Sequence, residues 1–177
     1  MKKSSWEGGL TRIAIVLSIC VALFALAKIS PFSVKSIATQ SVKYNHIALA
    51  MDVQEEHPLK THDYLFLTWE YGELSLRKDL SIHDGDLLLK RIACVAGESI
   101  KIEGRDHYCI HEDGSATHLG YAVPESQSGT PLPMNDFQGV IPDGFYFVSG
   151  DFDNSYDSKY FGLVRQNQIK SKLIAAF

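Results

Sequence analysis

The residue with the clearest chemical potential is a lysine inside an apolar segment. Lys90 lies in the sequence DLLLKRIACV, between three leucines and a second apolar run. Moving an ammonium group out of water lowers its pKa from about 10.4, and a neutral lysine can act as a general base. Side chains alternate along a strand, so Arg91 is expected on the opposite face, in a structural or surface role. The alternative is that Lys90 belongs to an edge strand and extends its ammonium to solvent.

A second segment, residues 150–162, concentrates polar side chains between aromatic ones. It reads GDFDNSYDSKYFG and contains three aspartates, an asparagine and two serines. This density predicts a structured polar loop, with an ordinary surface turn as the alternative. A calcium-binding loop is excluded because the required order of acidic residues, glycine and downstream glutamate is missing.

Both segments resemble the conserved boxes of the type I signal peptidases. KRIACVAGESIKIEG is similar to the lysine box of that family, and FVSGDFDNSYDSKYFG is similar to its second box, GDNxxxSxDSRYxG. The small plasmid conjugative-transfer (TraF-type) signal peptidases are the most similar subtype, and the resemblance covers the chain after residue 10. It implies that Lys90 is the general base and that Ser155 and Asp157 position it. Lys159 stands where arginine is frequent, and the spacing from Asp151 to Asp157 is one residue shorter than in the housekeeping enzymes.

The same resemblance implies a serine nucleophile on the first extended segment after the apolar run. Ser41 lies in TQSVKYNHI, which is similar to the pattern T-x-S-hydrophobic-P-Y with Lys43 in place of the proline. Ser36, in VKSIAT, is the alternative. We prefer Ser41, although the SMxP form of the housekeeping enzymes is absent.

A serine and a lysine would together perform acyl transfer in place of Ser-His-Asp. This chemistry requires no metal and no cofactor. His107 and His111 are four residues apart but fall on a predicted hairpin rather than a helix, so a zinc site is not expected. The expected partners are exported precursor proteins, with a pilin precursor as the conjugative example. Two rival interpretations are a catalytically inactive homologue in a secretion or conjugation apparatus, and a self-cleaving Ser-Lys regulator, which the export segment disfavours.

The amino terminus carries an export signal of one of two kinds. Fifteen uncharged residues separate Arg12 from Lys28, behind the basic Lys2 and Lys3. The segment alone fits a transmembrane helix and a cleavable signal peptide equally well, and a buried core helix is the third possibility. The family resemblance favours an uncleaved anchor. We therefore expect a cytoplasmic terminus (1–12), a single transmembrane segment (13–29) in the inner membrane and a periplasmic catalytic domain (30–177).

The elements that must position these residues are predicted to be strands. Short apolar runs at 64–69, 86–95, 145–149 and 168–174, a hairpin over 99–111, and a first strand after Pro31 indicate a mainly β fold. Its expected form is a signal-peptidase-like barrel or sandwich behind one transmembrane helix, with residues 112–144 as a long excursion. Cys94 and Cys109 either form a disulfide or remain buried thiols. The net charge of -4 argues against nucleic-acid binding.

Overall fold

The computed structural model describes residues 5–37, 42–43, 46–53, 59–68 and 85–177. The chain divides into two compact units, Met1–Ser33 and Val34–Phe177. The first unit contains helix α1, Ser5–Ile29. Within the described ranges, no helix is both long enough and apolar enough to cross a membrane.

The second unit is built from strands, which confirms the mainly β prediction. The strands are β1 (Phe32–Ile37), β2 (His46–Asp52), β3 (Tyr64–Thr68), β4 (Leu87–Cys94), β5 (Ser99–Glu103), β6 (Asp106–Ile110), β7 (Ala116–Tyr121), β8 (Gly139–Val140), β9 (Phe145–Ser149), β10 (Val164–Arg165) and β11 (Ile169–Ala176). A four-residue helix, α2 (Ser158–Phe161), lies between β9 and β10. The segment Gln166–Gln168 forms a 3-10 turn before β11.

Among the described residues, strand β4 lies in the interior of a sheet of seven strands, whose order is β1-β2-β11-β3-β4-β9-β10. Its antiparallel partners are β3, which places Leu65 opposite Lys90, and β9, which places Ser149 opposite Arg91. Lys90 is therefore on an interior strand, and the alternative of an edge-strand lysine is wrong.

A second sheet of four strands has the order β7-β6-β5-β8. The segment 112–144, predicted as a long excursion, contributes β7 and β8 to this sheet. β7 lacks the alternating apolar pattern because most of its side chains are exposed, and β8 has only two residues. Cys94, at the end of β4, forms a disulfide with Cys109 of β6, which resolves the choice between a bridge and two thiols.

Apolar side chains pack on both faces of the large sheet. On one face Leu65, Leu88 and Ile92 belong to a buried cluster. On the other face Phe66 and Leu89 belong to a second cluster. The alternation of side chains along β3 and β4 explains this division. Adjacent residues of β4 consequently lie in two different environments.

Candidate active site

Lys90 occupies an almost fully buried position, with 2% of its surface exposed. It shares a face of β4 with Leu88 and Ile92, and both belong to the same apolar cluster. Desolvation lowers the pKa of Lys90 from 10.5 to about 8, because the charged form loses its water shell. The carboxylates of Asp157 and Asp151 oppose this change and the ammonium of Lys159 reinforces it.

Ser155 fixes the position of the lysine nitrogen. Lys90 Nζ donates a hydrogen bond to Ser155 Oγ over 2.9 Å, and the serine is itself buried. The Ser155 amide donates to the carbonyl of Phe152, which closes the turn that presents the hydroxyl. A lysine has four rotatable side-chain bonds, and this contact selects one orientation of its amine.

Asp157 organises the second half of the polar segment. It is fully buried and forms the N-cap of α2, with Oδ1 accepting from the amide of Lys159. Its Oδ2 accepts from Lys159 Nζ over 2.8 Å and from the amide of Gly150 over 3.1 Å. Ser158 Oγ accepts from the amide of Val148 on β9. These contacts fold the loop back onto β9, beside the strand that carries Lys90.

A second carboxylate, Asp151, acts on the opposite face of β4. Arg91 Nε donates to its Oδ1 over 3.2 Å, and the hydroxyl of Tyr64 lies 2.9 Å from each of its oxygens. Its Oδ2 also accepts from the backbone amide of Lys43 over 3.0 Å. Arg91 therefore has the structural role on the opposite face that the sequence predicted.

One of the two candidate nucleophiles, Ser36, lies within the described residues. Ser36 lies on β1 and is exposed. Ser41, the preferred candidate, lies outside the described residues. Its neighbour Val42 is described, with 2% of its surface exposed, in the apolar cluster that contains Phe66 and Leu89.

Of the predicted site residues, Lys90, Ser155 and Asp157 meet in one buried group. Roles for Asp151, Tyr64 and the amide of Lys43 were not predicted from the sequence. The Gly-Asp pair at the start of the polar segment, which matches the first two residues of the family's second box, is the signal that could have pointed to Asp151. No sequence signal points to Tyr64, because a tyrosine that begins an apolar strand is most simply a core residue.

His111, one of the two histidines of the predicted hairpin, contacts two neighbouring polar side chains. His111 Nδ1 lies 2.5 Å from Glu98 Oε1, and its Nε2 lies 2.7 Å from Thr117 Oγ1. Within the described residues, the one group of ligand atoms close enough for a metal ion comprises Cys94, Glu98 and Cys109. Both sulfurs of that group are already joined in the disulfide.

A cavity of about 570 Å³ opens on the Arg91 side of the large sheet. Arg91, Ser149, Asp151 and Lys159 are among the residues that line it, and Lys90 is not.

Comparison with known proteins gives relatives of one kind. Conjugal transfer protein TraF of Agrobacterium tumefaciens (strain 15955) is 29% identical over 126 residues, which cover 67% of this chain and 69% of the relative. The probable conjugal transfer protein TraF of Sinorhizobium fredii (strain NBRC 101917 / NGR234) is 31% identical over 81 residues, which cover 42% of this chain and 37% of that protein. This chain thus matches less than half the length of the second relative.

Among solved structures, a signal peptidase I from Enterococcus faecalis V583 matches 67% of this chain and 98% of its own, with 21% identity and a TM-score of 0.38. The family model described as signal peptidase, peptidase S26, matches residues 8–177. Because this match spans nearly the whole chain, the protein belongs to the signal peptidase family, peptidase S26.

Proposed function

We propose that the protein is a membrane-anchored serine endopeptidase that cleaves leader peptides from exported precursors, with Ser41 as nucleophile and Lys90 as general base. The observation that carries this proposal is the buried amine, held by Ser155 and with a pKa lowered to about 8. A side chain that merely stabilised the fold would not need a basic nitrogen in this apolar position. At pH 7 about one tenth of such an amine is neutral, which is enough to serve as a base.

The proposed reaction is acyl transfer through an ester. Neutral Lys90 Nζ accepts the proton of Ser41 Oγ while the oxygen attacks the scissile carbonyl carbon. The resulting ammonium returns the proton to the leaving amine as the peptide bond breaks. Lys90 then accepts a proton from water as the water oxygen attacks the ester carbon, and the ammonium returns that proton to Ser41 Oγ as the ester bond breaks. Ser155 and Asp157 act by positioning, since both are buried and neither needs to exchange a proton.

The proposed location follows from the amino-terminal sequence. The run of fifteen uncharged residues after Arg12 would hold the enzyme in the inner membrane, with the catalytic domain on the periplasmic side. Precursors carrying leader peptides lie in the same membrane, so confinement of enzyme and substrate raises their effective concentration. Two relatives are named as conjugal transfer proteins, so we choose a pilin precursor as the substrate to test.

The decisive experiment is cleavage of a membrane-inserted precursor by the full chain and by three single variants. Ser41→Ala and Lys90→Ala should each abolish cleavage, whereas Ser36→Ala should retain it. Loss with Ser36→Ala and retention with Ser41→Ala would move the nucleophile to Ser36. Full activity in Lys90→Ala would refute the dyad.

A second candidate function, an inactive homologue with a structural role in conjugation, makes the opposite prediction. The wild-type chain would then cleave no precursor, and all three variants would support conjugative transfer equally well. Deleting residues 1–28 separately tests the anchor. The truncated chain should cleave a short peptide but process the inserted precursor much more slowly, and equal rates would remove the kinetic role of the segment.

A further inference from the structure

We propose that Asp151 is a positioning residue for the nucleophile, because its carboxylate fixes the backbone two residues after Ser41. This inference rests on the proposed function with Ser41 as nucleophile. The contact that carries it is the hydrogen bond from the Lys43 amide to Asp151 Oδ2, at 3.0 Å. The residues are 108 positions apart in sequence, so the bond joins two segments that only the fold brings together.

The chain after Ser41 is held at two successive residues. The side chain of Val42 is buried in the cluster of Phe66 and Leu89. The next amide, that of Lys43, donates to a carboxylate whose side chain is only 3% exposed. An apolar side chain resists displacement from the core, and a charge-assisted hydrogen bond fixes the direction of the backbone. Together they restrict the backbone at Val42 and Lys43.

Asp151 is itself held in place by side chains of β3 and β4, and β4 carries the proposed base, Lys90. The Tyr64 hydroxyl contacts both carboxylate oxygens, and Arg91 donates to Oδ1. Tyr64 belongs to β3 and Arg91 is the residue after Lys90 on β4. The Asp151 carboxylate thus connects Lys43, two residues after the proposed nucleophile, to β4, the strand that carries the proposed base.

The residue type at position 43 decides whether this hydrogen bond can form. The pattern that the segment resembles commonly has proline there, and proline has no backbone N–H to donate. In this chain Lys43 supplies an amide, and Asp151 uses it. The substitution that weakened the sequence match therefore introduces a contact of its own.

A first test measures the contact without any activity. Amide hydrogen exchange is recorded by NMR on the full Ser41→Ala chain, with and without Asp151→Ala. The Lys43 amide should exchange about tenfold to hundredfold faster once the charged acceptor is removed. The Lys60 amide, which donates to Asp63 Oδ2 over 3.0 Å, is the internal control and should not change. Unchanged exchange at Lys43 would overturn the proposal.

A second test separates positioning from general stability, in case Asp151→Ala folds poorly. Lys43→Pro removes the donor, and the matched Lys43→Ala keeps it. We expect kcat for a short peptide to fall about tenfold in Lys43→Pro with KM unchanged, and to stay within about twofold in Lys43→Ala. The pH midpoint of cleavage should be the same in both, because both changes remove the same Lys43 ammonium and keep the charged groups that shift the pKa of Lys90.

Equal kcat values in the two Lys43 variants would refute the positioning role. A lower Tm in Lys43→Pro with no loss of kcat would assign the bond to stability alone and would refute it as well. If the wild-type chain cleaves nothing, the proposed function fails, and the exchange experiment still decides whether Asp151 holds the segment.

Discussion

Replacing Lys90 with methionine should abolish cleavage and, at neutral pH, stabilise the fold. The wild-type protein holds an ammonium group in an apolar cluster, where the charged form is disfavoured. Methionine has a similar length and no charge, so it can occupy the same space among Leu65, Leu88 and Ile92. A buried catalytic charge lowers the stability of the fold, so a substitution that removes the charge can stabilise the protein while it abolishes activity.

The size of the effect follows from the pKa of Lys90. Its decrease from 10.5 to about 8 corresponds to about 3 kcal/mol, at roughly 1.36 kcal/mol per pKa unit. The variant also loses the hydrogen bond to Ser155, which costs about 1 to 2 kcal/mol because the buried hydroxyl loses its partner. The net gain in the free energy of unfolding at pH 7 is therefore about 1 to 2 kcal/mol.

The dependence on pH gives the sharper test. Because the folded-state pKa of Lys90 is below the unfolded value of 10.5, the unfolded chain binds more protons between pH 8 and 10.5. Wild-type stability therefore gains about 3 kcal/mol from this group as the pH rises through that window, and Lys90→Met lacks this contribution. The variant should be the more stable protein at pH 7 and the less stable one near pH 10.5.

The assay is urea unfolding of the full chain in mild detergent, at intervals from pH 7 to 10.5. Lys170→Met, at an exposed position on β11, serves as the control, and its difference from wild type should be small and flat with pH. A difference between wild type and Lys90→Met that does not change between pH 8 and 10.5 would refute the argument, because the amine would then titrate alike in both states.

Three further predictions use other contacts of the same domain. The rate of cleavage should rise with pH, with a midpoint at about pH 8. Lys159→Met should move this midpoint upward, because the Lys159 charge lowers the pKa of Lys90. Lys159→Arg keeps the charge and should leave the midpoint unchanged. Cys109→Ala should lower the free energy of unfolding by about 3 kcal/mol under oxidising conditions and by much less with a reductant, as measured by urea unfolding. Burial lowers the pKa of His107 below 6.5, so wild-type stability should decline as the pH falls through 6.5, where the unfolded histidine gains its proton. His107→Gln should show a smaller decline, and an identical one would contradict this assignment.

The sequence predicted those site residues that stand out within one short segment of the chain. Lys90 stands out because a charged residue interrupts an apolar strand, and Ser155 and Asp157 stand out because their segment is unusually polar. The strand β2, in contrast, was missed, since the alternation of alanine with larger apolar residues in HIALAMD is a weak signal. Its pairing with β11, more than a hundred residues later, depends on tertiary structure.

The role of Asp151 could not be predicted for the same reason. Its partners Lys43, Tyr64 and Arg91 come from three separate segments, and none of their spacings is local. The sequence shows that an aspartate begins the polar segment, but it does not show which backbone amide lies within 3.0 Å of it. Ser41 itself remains a prediction from the family pattern.

The neighbouring residues Lys90 and Arg91 show how one loop can serve both faces of a strand. Alternation sends the lysine into an apolar cluster and the arginine to the other side of the sheet. Within the polar segment, Asp151 pairs with the arginine, while Asp157 pairs with Lys159 and lies close enough to Lys90 to raise its pKa. If Lys90 were instead paired directly with a carboxylate, that charge would raise its pKa and keep the amine protonated. The contact with the neutral hydroxyl of Ser155 orients the nitrogen without this penalty. The two aspartates thus position the strand and the loop, and the amine is left to titrate near pH 8.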